Sequence, residues 1–231
     1  MDALDVMSTP VISVKPEMTV REVAKVFVEQ RISGAPVVDA AGHIVGMISE
    51  GDLIHRTELD TDKPQRRGWL DLFSLNRDAS EYVKSHGLRV ADVMITDVVS
   101  VDETTPLGKV ADLMETRRIK RVPVKRQGTL VGIVTRANLV QVLASMVEEP
   151  ATLDAAPNDR EIRAMLMGEL AGRSWAFAGR NIVVRDGVVH LWGMFQSVDA
   201  VKAVLVAAEA TPGVKRVEDH TESYPVFVSG L

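Results

Sequence analysis

Two stretches of the chain read almost alike: Gly42-His-Ile-Val-Gly-Met-Ile-Ser-Glu-Gly-Asp-Leu53 and Gly128-Thr-Leu-Val-Gly-Ile-Val-Thr-Arg-Ala-Asn-Leu139. They belong to a longer internal repeat, in which the segment from Asp5 to about Arg56 recurs from Asp92 to about Val142. Two similar units that each keep an apolar face tend to stack, and the seam between them is a natural ligand cleft. The duplication therefore predicts a paired fold with a binding site between the repeats.

The hydrophobic period changes twice within each repeat, from β-branched runs to helical spacing and back. In the first repeat this predicts a strand at 11–14, a helix at 19–31, strands at 35–38 and 44–48, and a helix that starts at Ser49. The second repeat predicts the same order: a strand at 98–101, a helix at 106–118, strands at 122–125 and 130–134, and a helix at 135–147. Both repeats are therefore mixed α and β.

The repeats resemble the cystathionine-β-synthase (CBS) domain, and their duplication resembles the paired arrangement called a Bateman module. The most specific element is Gly, two apolar residues, Ser or Thr, two variable residues, then Asp or Asn. It occurs as Gly46-Met-Ile-Ser49-Glu-Gly-Asp52 and Gly132-Ile-Val-Thr135-Arg-Ala-Asn138. The resemblance covers about 1–147, with repeats at 1–56 and 92–147. It implies an α/β (α+β) fold, in which tandem CBS repeats form a pseudo-twofold module, and a seam that binds AMP, ADP, ATP, NAD or S-adenosylmethionine.

The chemistry of the motif agrees with an adenosyl ligand. A carboxylate at the first turn of a helix can accept hydrogen bonds from both ribose hydroxyls, which assigns ribose to Asp52. The hydroxyls of Ser49 and Thr135, together with helix-start N–H groups, suit a phosphate. Asn138 accepts without charge, so we expect the second site to hold ribose more weakly or in a different orientation. The same four residue types also cap helices by default, and a purely structural capping role is the alternative.

Apolar strand residues would complete the two sites by sandwiching the adenine. By the resemblance these residues are Val14, Ala35, Pro36, Val101, Val122 and Pro123. The run 117–126 carries six basic residues, and we expect Arg121, with Lys120 and Arg136, to face a polyphosphate. An equally strong alternative is a solvated loop beside a strand edge, where basic side chains discourage aggregation.

The segment 57–91 is longer than a connection between repeats requires. Within it Trp69 and Phe73 have the spacing of one face of a short helix. Packing on its own module or on a partner subunit is the first interpretation. A gate over the nucleotide cleft is the second.

A linker at 148–157 precedes a second domain at 158–222 and a tail at 223–231. The linker region is rich in acidic residues and contains two prolines, as is typical of a connecting segment. In the second domain Asp159 can cap a helix, Asp186-Gly187 predicts the turn of a hairpin, 198–210 reads as a helix and 214–219 as a strand. Gly187-Val-Val-His-Leu-Trp-Gly193 and Pro212-Gly-Val-Lys-Arg-Val217 resemble the BON domain, a small two-layer α/β module. That resemblance implies attachment to phospholipid or to a protein surface.

His190 alternates with Val189 and Leu191, so it points away from the face that those two residues share. A metal role lacks a companion ligand in the neighbouring sequence, which favours a surface histidine. We therefore expect that no metal is required.

Composition limits the remaining possibilities. The net charge of −5 argues against nucleic acid as the main partner, and the absence of cysteine excludes disulfides and thiolate metal sites. The N-terminal residues show no signal-peptide pattern, so we expect a cytoplasmic protein. Phosphate-loop, zinc-protease and nucleophile-elbow motifs are absent, which argues against an enzyme.

The sequence therefore predicts a regulatory protein that binds an adenosyl ligand between CBS repeats and relays occupancy by a conformational change. It would act as a homodimer on an unknown protein effector. The alternative is a structural or envelope-associated adaptor that acts through the BON domain, with the CBS pair mainly a dimerisation platform.

Overall fold

The structure is a computed structural model, and it describes residues 1–54, 83, 86–146, 157–173, 175–176, 182–195 and 197–223. The predicted gate with Trp69 and Phe73, most of the segment 57–91, the linker residues 148–156 and the tail from 224 onward lie outside these residues. Within the described part, no helix has the length and apolar character needed to cross a membrane.

The first repeat begins with α1 (Ala3–Val6), a helix that the hydrophobic pattern did not predict. It continues in the predicted order with α2 (Val20–Gln30), β1 (Gly34–Val38), β2 (Ile44–Ser49) and α3 (Glu50–Ile54). The second repeat follows with α4 (Val90–Val93), β3 (Val101–Asp102), α5 (Leu107–Thr116), β4 (Arg121–Arg126), β5 (Thr129–Thr135) and α6 (Arg136–Ala144). Strands β1 and β2 pair antiparallel, and β3 pairs in parallel with β4. The predicted mixed α and β fold is confirmed.

The first predicted strand of each repeat is much shorter than its β-branched run. Instead of the strand predicted at 11–14, only Val14 forms a bridge, to Val37. Instead of the strand predicted at 98–101, the structure has the two-residue strand β3. The chain leaves one compact unit for the other between residues 11 and 12 and returns between 99 and 100. Only two residues before Val14 and one before Val101 lie in the same unit as the strand, so each strand has little length on that side.

The chain folds as two compact units that exchange their opening segments. One unit contains Met1–Val11, Ser100–Arg126 and Val131–Leu231, and the other contains Ile12–Val99 and Gln127–Leu130. Consequently α1, the first helix of the first repeat, packs in the core of the second repeat, and α4 packs in the core of the first. The boundaries of the sequence repeats therefore differ from those of the compact units, because each unit contains segments of both repeats.

Each exchanged segment contacts its new core through a methionine that packs on a glycine. Met7 follows α1 and lies against Gly132 of β5, so close that a Cβ on this glycine would overlap the Met7 sulfur and would stand 2.7 Å from its Cγ. Met94 follows α4, and a Cβ on Gly46 of β2 would stand 2.5 Å from its sulfur. Side chains at 46 and 132 would displace these methionines. The repeated Asp-Val-Met and the repeated glycine are therefore two halves of one contact, each supplied by a different repeat.

The C-terminal domain places two helices on one face of a three-stranded sheet. Its elements are α7 (Pro157–Leu170), β6 (Ile182–Arg185), β7 (Val188–Phe195), α8 (Val198–Glu209) and β8 (Arg216–Ser223). Strand β7 lies in the middle, antiparallel to β6 and parallel to β8. The buried side chains between helices and sheet come from every element but β8: Ile162, Leu166, Leu170, Ile182, Val184, Val189, Leu191, Ala200, Val204 and Ala208.

Asp159 has a different role from the predicted helix cap. Because α7 begins at Pro157, Asp159 lies in its first turn. Its carboxylate accepts hydrogen bonds from the backbone N–H groups of Asp186 (2.8 Å) and Gly187 (2.9 Å). Both of those residues have positive φ angles, as a two-residue hairpin turn requires. Asp159 thus fastens the β6–β7 turn to the helix.

The prediction that His190 is a surface residue is wrong. His190 does face away from Val189 and Leu191, but it is only 5% exposed, not a surface residue. The parallel pairing of β7 with β8 also brings Glu218 and His220 beside it. Burial lowers the pKa of His190 below its ordinary value, and the Glu218 carboxylate offsets only part of this effect. The companions were missed because they come from a strand far along the sequence.

Two arginines of α7 join the C-terminal domain to the N-terminal segment. The Arg163 guanidinium donates to three carbonyl oxygens, those of Leu4 (3.0 Å), Met7 (2.8 Å) and Ile182 (3.2 Å). Burial lowers the pKa of Arg163 to about 10, which leaves it protonated at neutral pH. Arg160 adds a bidentate contact to Asp5, with Nε–Oδ1 and Nη2–Oδ2 distances of 2.7 and 2.9 Å. The N-terminal segment is thus held by both the second repeat and α7.

The substitution Gly132→Ala tests the methionine–glycine contact. The new methyl group must displace the buried Met7 side chain, so we expect the free energy of unfolding to fall by about 1–3 kcal/mol. Chemical denaturation measures this loss. Gly108→Ala is the matched control, because nothing lies within 4 Å of the added Cβ in α5. Equal stability of both variants would contradict the tight contact.

Arg163→Met tests the link between the C-terminal domain and the N-terminal segment. The substitution keeps the apolar stem but leaves three carbonyls without their donor, and we expect a loss of about 3 kcal/mol in the free energy of unfolding. Arg173→Met, at a residue with an exposed side chain, should change stability by less than about 0.5 kcal/mol. If thermal unfolding gives similar midpoints for both variants, the three hydrogen bonds contribute little.

Candidate functional site

The motif of the first repeat lies where β2 ends and α3 begins. The backbone N–H and the hydroxyl of Ser49 both donate to Asp52 Oδ2, each at 2.8 Å. These two bonds hold the half-buried carboxylate in one direction. Its second oxygen, Oδ1, accepts no hydrogen bond from the residues that the structure describes. An oriented carboxylate with one oxygen available is suited to a hydroxyl-bearing ligand.

Strand β1 runs beside this helix start. The Glu50 N–H donates to the Ser33 carbonyl oxygen at 3.1 Å, which ties the start of α3 to the residue before β1. Ala35 and Pro36 follow on β1, and Val14 pairs with the same strand. The first predicted set, formed by Val14, Ala35, Pro36, Ser49 and Asp52, therefore comes together within one compact unit.

The motif of the second repeat repeats this geometry at the start of α6. The N–H and hydroxyl of Thr135 donate to Asn138 Oδ1 at 2.8 and 2.7 Å, and the Arg136 N–H donates to the Lys120 carbonyl oxygen at 3.1 Å. Here, however, the amide is only 3% exposed, and its Nδ2 lies 3.4 Å from the hydroxyl of Ser8. Asn138 is therefore more enclosed than Asp52.

The basic residues around the second motif differ in exposure. Arg121 opens β4 and is half-buried, whereas Lys120 is exposed. Arg136 has half of its side chain exposed and lies 3.5 Å from the Glu115 carboxylate. Such surface ion pairs contribute little to stability, so this contact does not commit Arg136 to a structural role. Contact with a phosphate and a solvated strand edge therefore both stay predictions for the basic residues of 117–126.

Most of the apolar residues expected to sandwich an adenine are core residues. Four of them are at most 8% exposed and lie in the two hydrophobic cores: Val14, Ala35, Val101 and Val122. Pro36 and Pro123 are buried as well. Their side chains fill the cores that support the helix starts. Contact of these strands with a base would therefore have to come mainly through their backbone groups.

Ser8 is a residue of the second motif that the sequence did not indicate. It bridges to Ile133, with N–H to carbonyl distances of 2.8 and 3.1 Å, and its hydroxyl lies beside Asn138. The corresponding residue of the second repeat, Ile95, bridges to Met47 in the same way but has no hydroxyl. The repeat alignment contains this Ser-for-Ile difference, but the exchange of segments that gives it meaning is visible only in three dimensions.

Comparison with known proteins agrees with both resemblances. The chain matches the CBS domain family at residues 3–58 and 90–145, and the BON domain family at 158–222. An uncharacterized protein of Methanocaldococcus jannaschii is 30% identical over 150 residues, which are 60% of this chain and 89% of the relative. CBSX1, a chloroplastic CBS domain-containing protein of Arabidopsis thaliana, is 34% identical over 137 residues, or 55% of this chain and 57% of the relative.

A solved structure shares the architecture of the paired repeats. The crystal structure of CBSX2, another CBS domain-containing protein of A. thaliana, in complex with AMP has a TM-score of 0.55 and 27% identity. It covers 62% of this chain, and the match spans 96% of that chain. The protein therefore belongs to the CBS domain family and carries a BON domain after its two CBS repeats. The chain spans little more than half the length of CBSX1.

Proposed function

We propose that the protein is a regulatory sensor that binds an adenosyl ligand at the helix starts of its CBS repeats and does not turn it over. The observation that carries this proposal is the oriented Asp52 carboxylate, held by Ser49 at the start of α3 with Oδ1 available. The fold shared with CBSX2, which was crystallised with AMP, supports the choice of ligand class.

At the first position Asp52 is the ribose acceptor and Ser49 adjoins the phosphate. A ribose presents two neighbouring hydroxyl donors, and a charged acceptor binds each more strongly than a neutral one does. Because Ser49 already fixes Oδ2, little side-chain entropy is lost when Oδ1 accepts a ligand hydroxyl. The capping alternative is compatible with this role, since capping is what orients the carboxylate.

At the second position we expect weaker binding. The Asn138 amide is neutral, it is 3% exposed, and its oxygen already accepts two hydrogen bonds from Thr135. A ligand would have to compete with these bonds or bind through Thr135 and the basic residues Lys120, Arg121 and Arg136. The two positions would thus differ in affinity, and the second would favour ligands with more phosphate groups.

AMP is the first ligand to examine, with ADP and ATP next because of the basic residues at the second position. NAD and S-adenosylmethionine share the ribose and belong in the same panel. The expected homodimer, the protein effector and a phospholipid contact of the BON domain stay predictions. If no adenosyl ligand binds, the alternative of an adaptor acting through its BON domain becomes the better proposal.

The N-terminal segment supplies a route by which occupancy could reach the BON domain. Within one compact unit, the Ser8 hydroxyl contacts Asn138, and the Met7 carbonyl next to it accepts from Arg163 of α7. A ligand that moves Asn138 changes what Ser8 contacts, and a shift of Ser8 is passed on to Met7. Coupling through such a route requires that the ligand contacts the two states of the segment differently.

The substitution Asp52→Asn tests the ribose acceptor, because it gives the first motif the chemistry of the second while an amide oxygen can still cap α3. We expect AMP to bind about 10- to 100-fold more weakly, as loss of a charge-assisted hydrogen bond implies. Isothermal titration calorimetry over the ligand panel measures this change.

Glu22→Gln is the matched control for that experiment. Glu22 accepts from the Thr19 N–H (2.7 Å) and hydroxyl (2.8 Å) in an equivalent capping box at the start of α2, which carries no binding motif. Its replacement should leave AMP affinity unchanged. Equal affinities of Asp52→Asn and the parent protein would remove Asp52 from the site, and hydrolysis of a bound nucleotide would refute the sensing role.

The relay predicts that saturating AMP changes amide hydrogen exchange in α7, far from the ligand in sequence. Ser8→Ala should reduce that change while AMP still binds, because the variant breaks the contact between Asn138 and the N-terminal segment. Coupling effects of about 0.5–2 kcal/mol are within reach of exchange measurements. Identical α7 exchange with and without AMP in the parent protein would rule this route out.

A further inference from the structure

The face of the BON sheet that is turned away from α7 and α8 gathers three side chains that can bind a metal ion. Strands β7 and β8 pair in parallel, so that His190 lies opposite Glu218 and Trp192 opposite His220. Because side chains alternate along a strand, all four project from the same face, away from α7 and α8. His190 is buried, whereas about one third of the Glu218 and His220 side chains is exposed.

The donor atoms of these side chains have the spacing of metal ligands. His190 Nδ1 lies 3.3 Å from His220 Nε2 and 3.2 Å from Glu218 Oε2, and His220 Nε2 lies 3.6 Å from the same oxygen. Zinc bonds to nitrogen and oxygen of about 2.0–2.2 Å at tetrahedral angles put neighbouring ligand atoms about 3.3–3.6 Å apart. The three atoms therefore match one face of a zinc tetrahedron without large movement.

We propose that His190, Glu218 and His220 bind one divalent transition-metal ion, for which Zn²⁺ is the best match, with the fourth coordination position open to water. Two imidazoles and one carboxylate are a ligand set used for open zinc sites and for iron(II) sites. The partial exposure of Glu218 and His220 gives an ion and its water a way in. This site is independent of the nucleotide site.

Neighbouring side chains hold two of the ligands in place. Arg216 pairs with Glu218 Oε1, which leaves Oε2 for the histidines. The Trp192 ring stacks on His220, with ring centroids 3.9 Å apart and planes inclined by 16°. Such outer contacts orient metal ligands and are part of a prepared site. Arg185 and Arg216 place positive charge near His190, and the negative charge of the Glu218 carboxylate offsets part of it.

The competing explanation is a metal-free network in which the two imidazoles share a hydrogen bond and Glu218 accepts another. The same distances allow it, since 3.3 Å between ring nitrogens is within hydrogen-bond range. The two explanations differ in what happens when metal is supplied. The network predicts no saturable uptake, whereas the metal site predicts one ion per chain.

The experiment uses the full-length protein after removal of metal with a chelator. Zn²⁺ titration by calorimetry should give a stoichiometry of one ion per chain, and Co²⁺ should produce the intense visible absorption of a four-coordinate site. Glu218→Gln and His220→Gln should each weaken Zn²⁺ binding by at least about 100-fold, since even the loss of outer contacts costs 10- to 100-fold.

His43→Gln is the matched control, because His43 is another exposed histidine close to a carboxylate, that of Asp39 at 3.4 Å. It should bind Zn²⁺ as the parent protein does. Circular dichroism identifies which variants remain folded, and the stoichiometry of the parent protein stands without any variant. Failure of the parent protein to bind one Zn²⁺, or unchanged binding in both folded variants, would overturn the proposal. AMP affinity measured on the same samples keeps this outcome separate from that of the nucleotide site.

Discussion

The structure depends on a close approach that occurs twice, between a methionine and a glycine that has no room for a side chain. Met7 lies on Gly132 and Met94 on Gly46, and each pair joins an opening segment to a strand of the other repeat. Because each core needs a helix from elsewhere in the sequence, neither repeat is complete alone. The same strands, β2 and β5, end at Ser49 and Thr135, so the contact that secures the exchange also sets where the two candidate binding motifs begin.

The duplicated motifs have diverged although their capping geometry is nearly the same. Asp52 and Asn138 receive matching pairs of hydrogen bonds, but the first retains an available charged oxygen and the second is enclosed against Ser8. A change of one side chain from carboxylate to amide, together with a serine in the exchanged segment, therefore distinguishes the two positions. The backbone gives both positions the same geometry, and the side chains make them chemically different.

Local sequence patterns predicted most of the fold because helices and strands are coded by nearby residues. The helix, two strands and second helix that complete each repeat, the hairpin at Asp186-Gly187 and the helix starts at Ser49 and Thr135 all follow from periodicity and turn chemistry. What the sequence did not reveal involves partners far apart in the chain. The exchange of segments, the use of Asp159 to hold a turn, and the burial of His190 beside Glu218 and His220 each depend on tertiary contacts that no local pattern encodes.

The exchanged α1 segment also has a consequence for synthesis on the ribosome. Residues 1–11 emerge before the residues after Ser100 that build the core receiving them. At translation rates of about 5–20 residues per second, α1 is made about 5–20 seconds before the first residues of that core. During that interval Ala3, Val6 and Met7 are without the core that buries them in the folded protein. Helix α1 is thus packed only after the whole first compact stretch of residues 12–99 has been made.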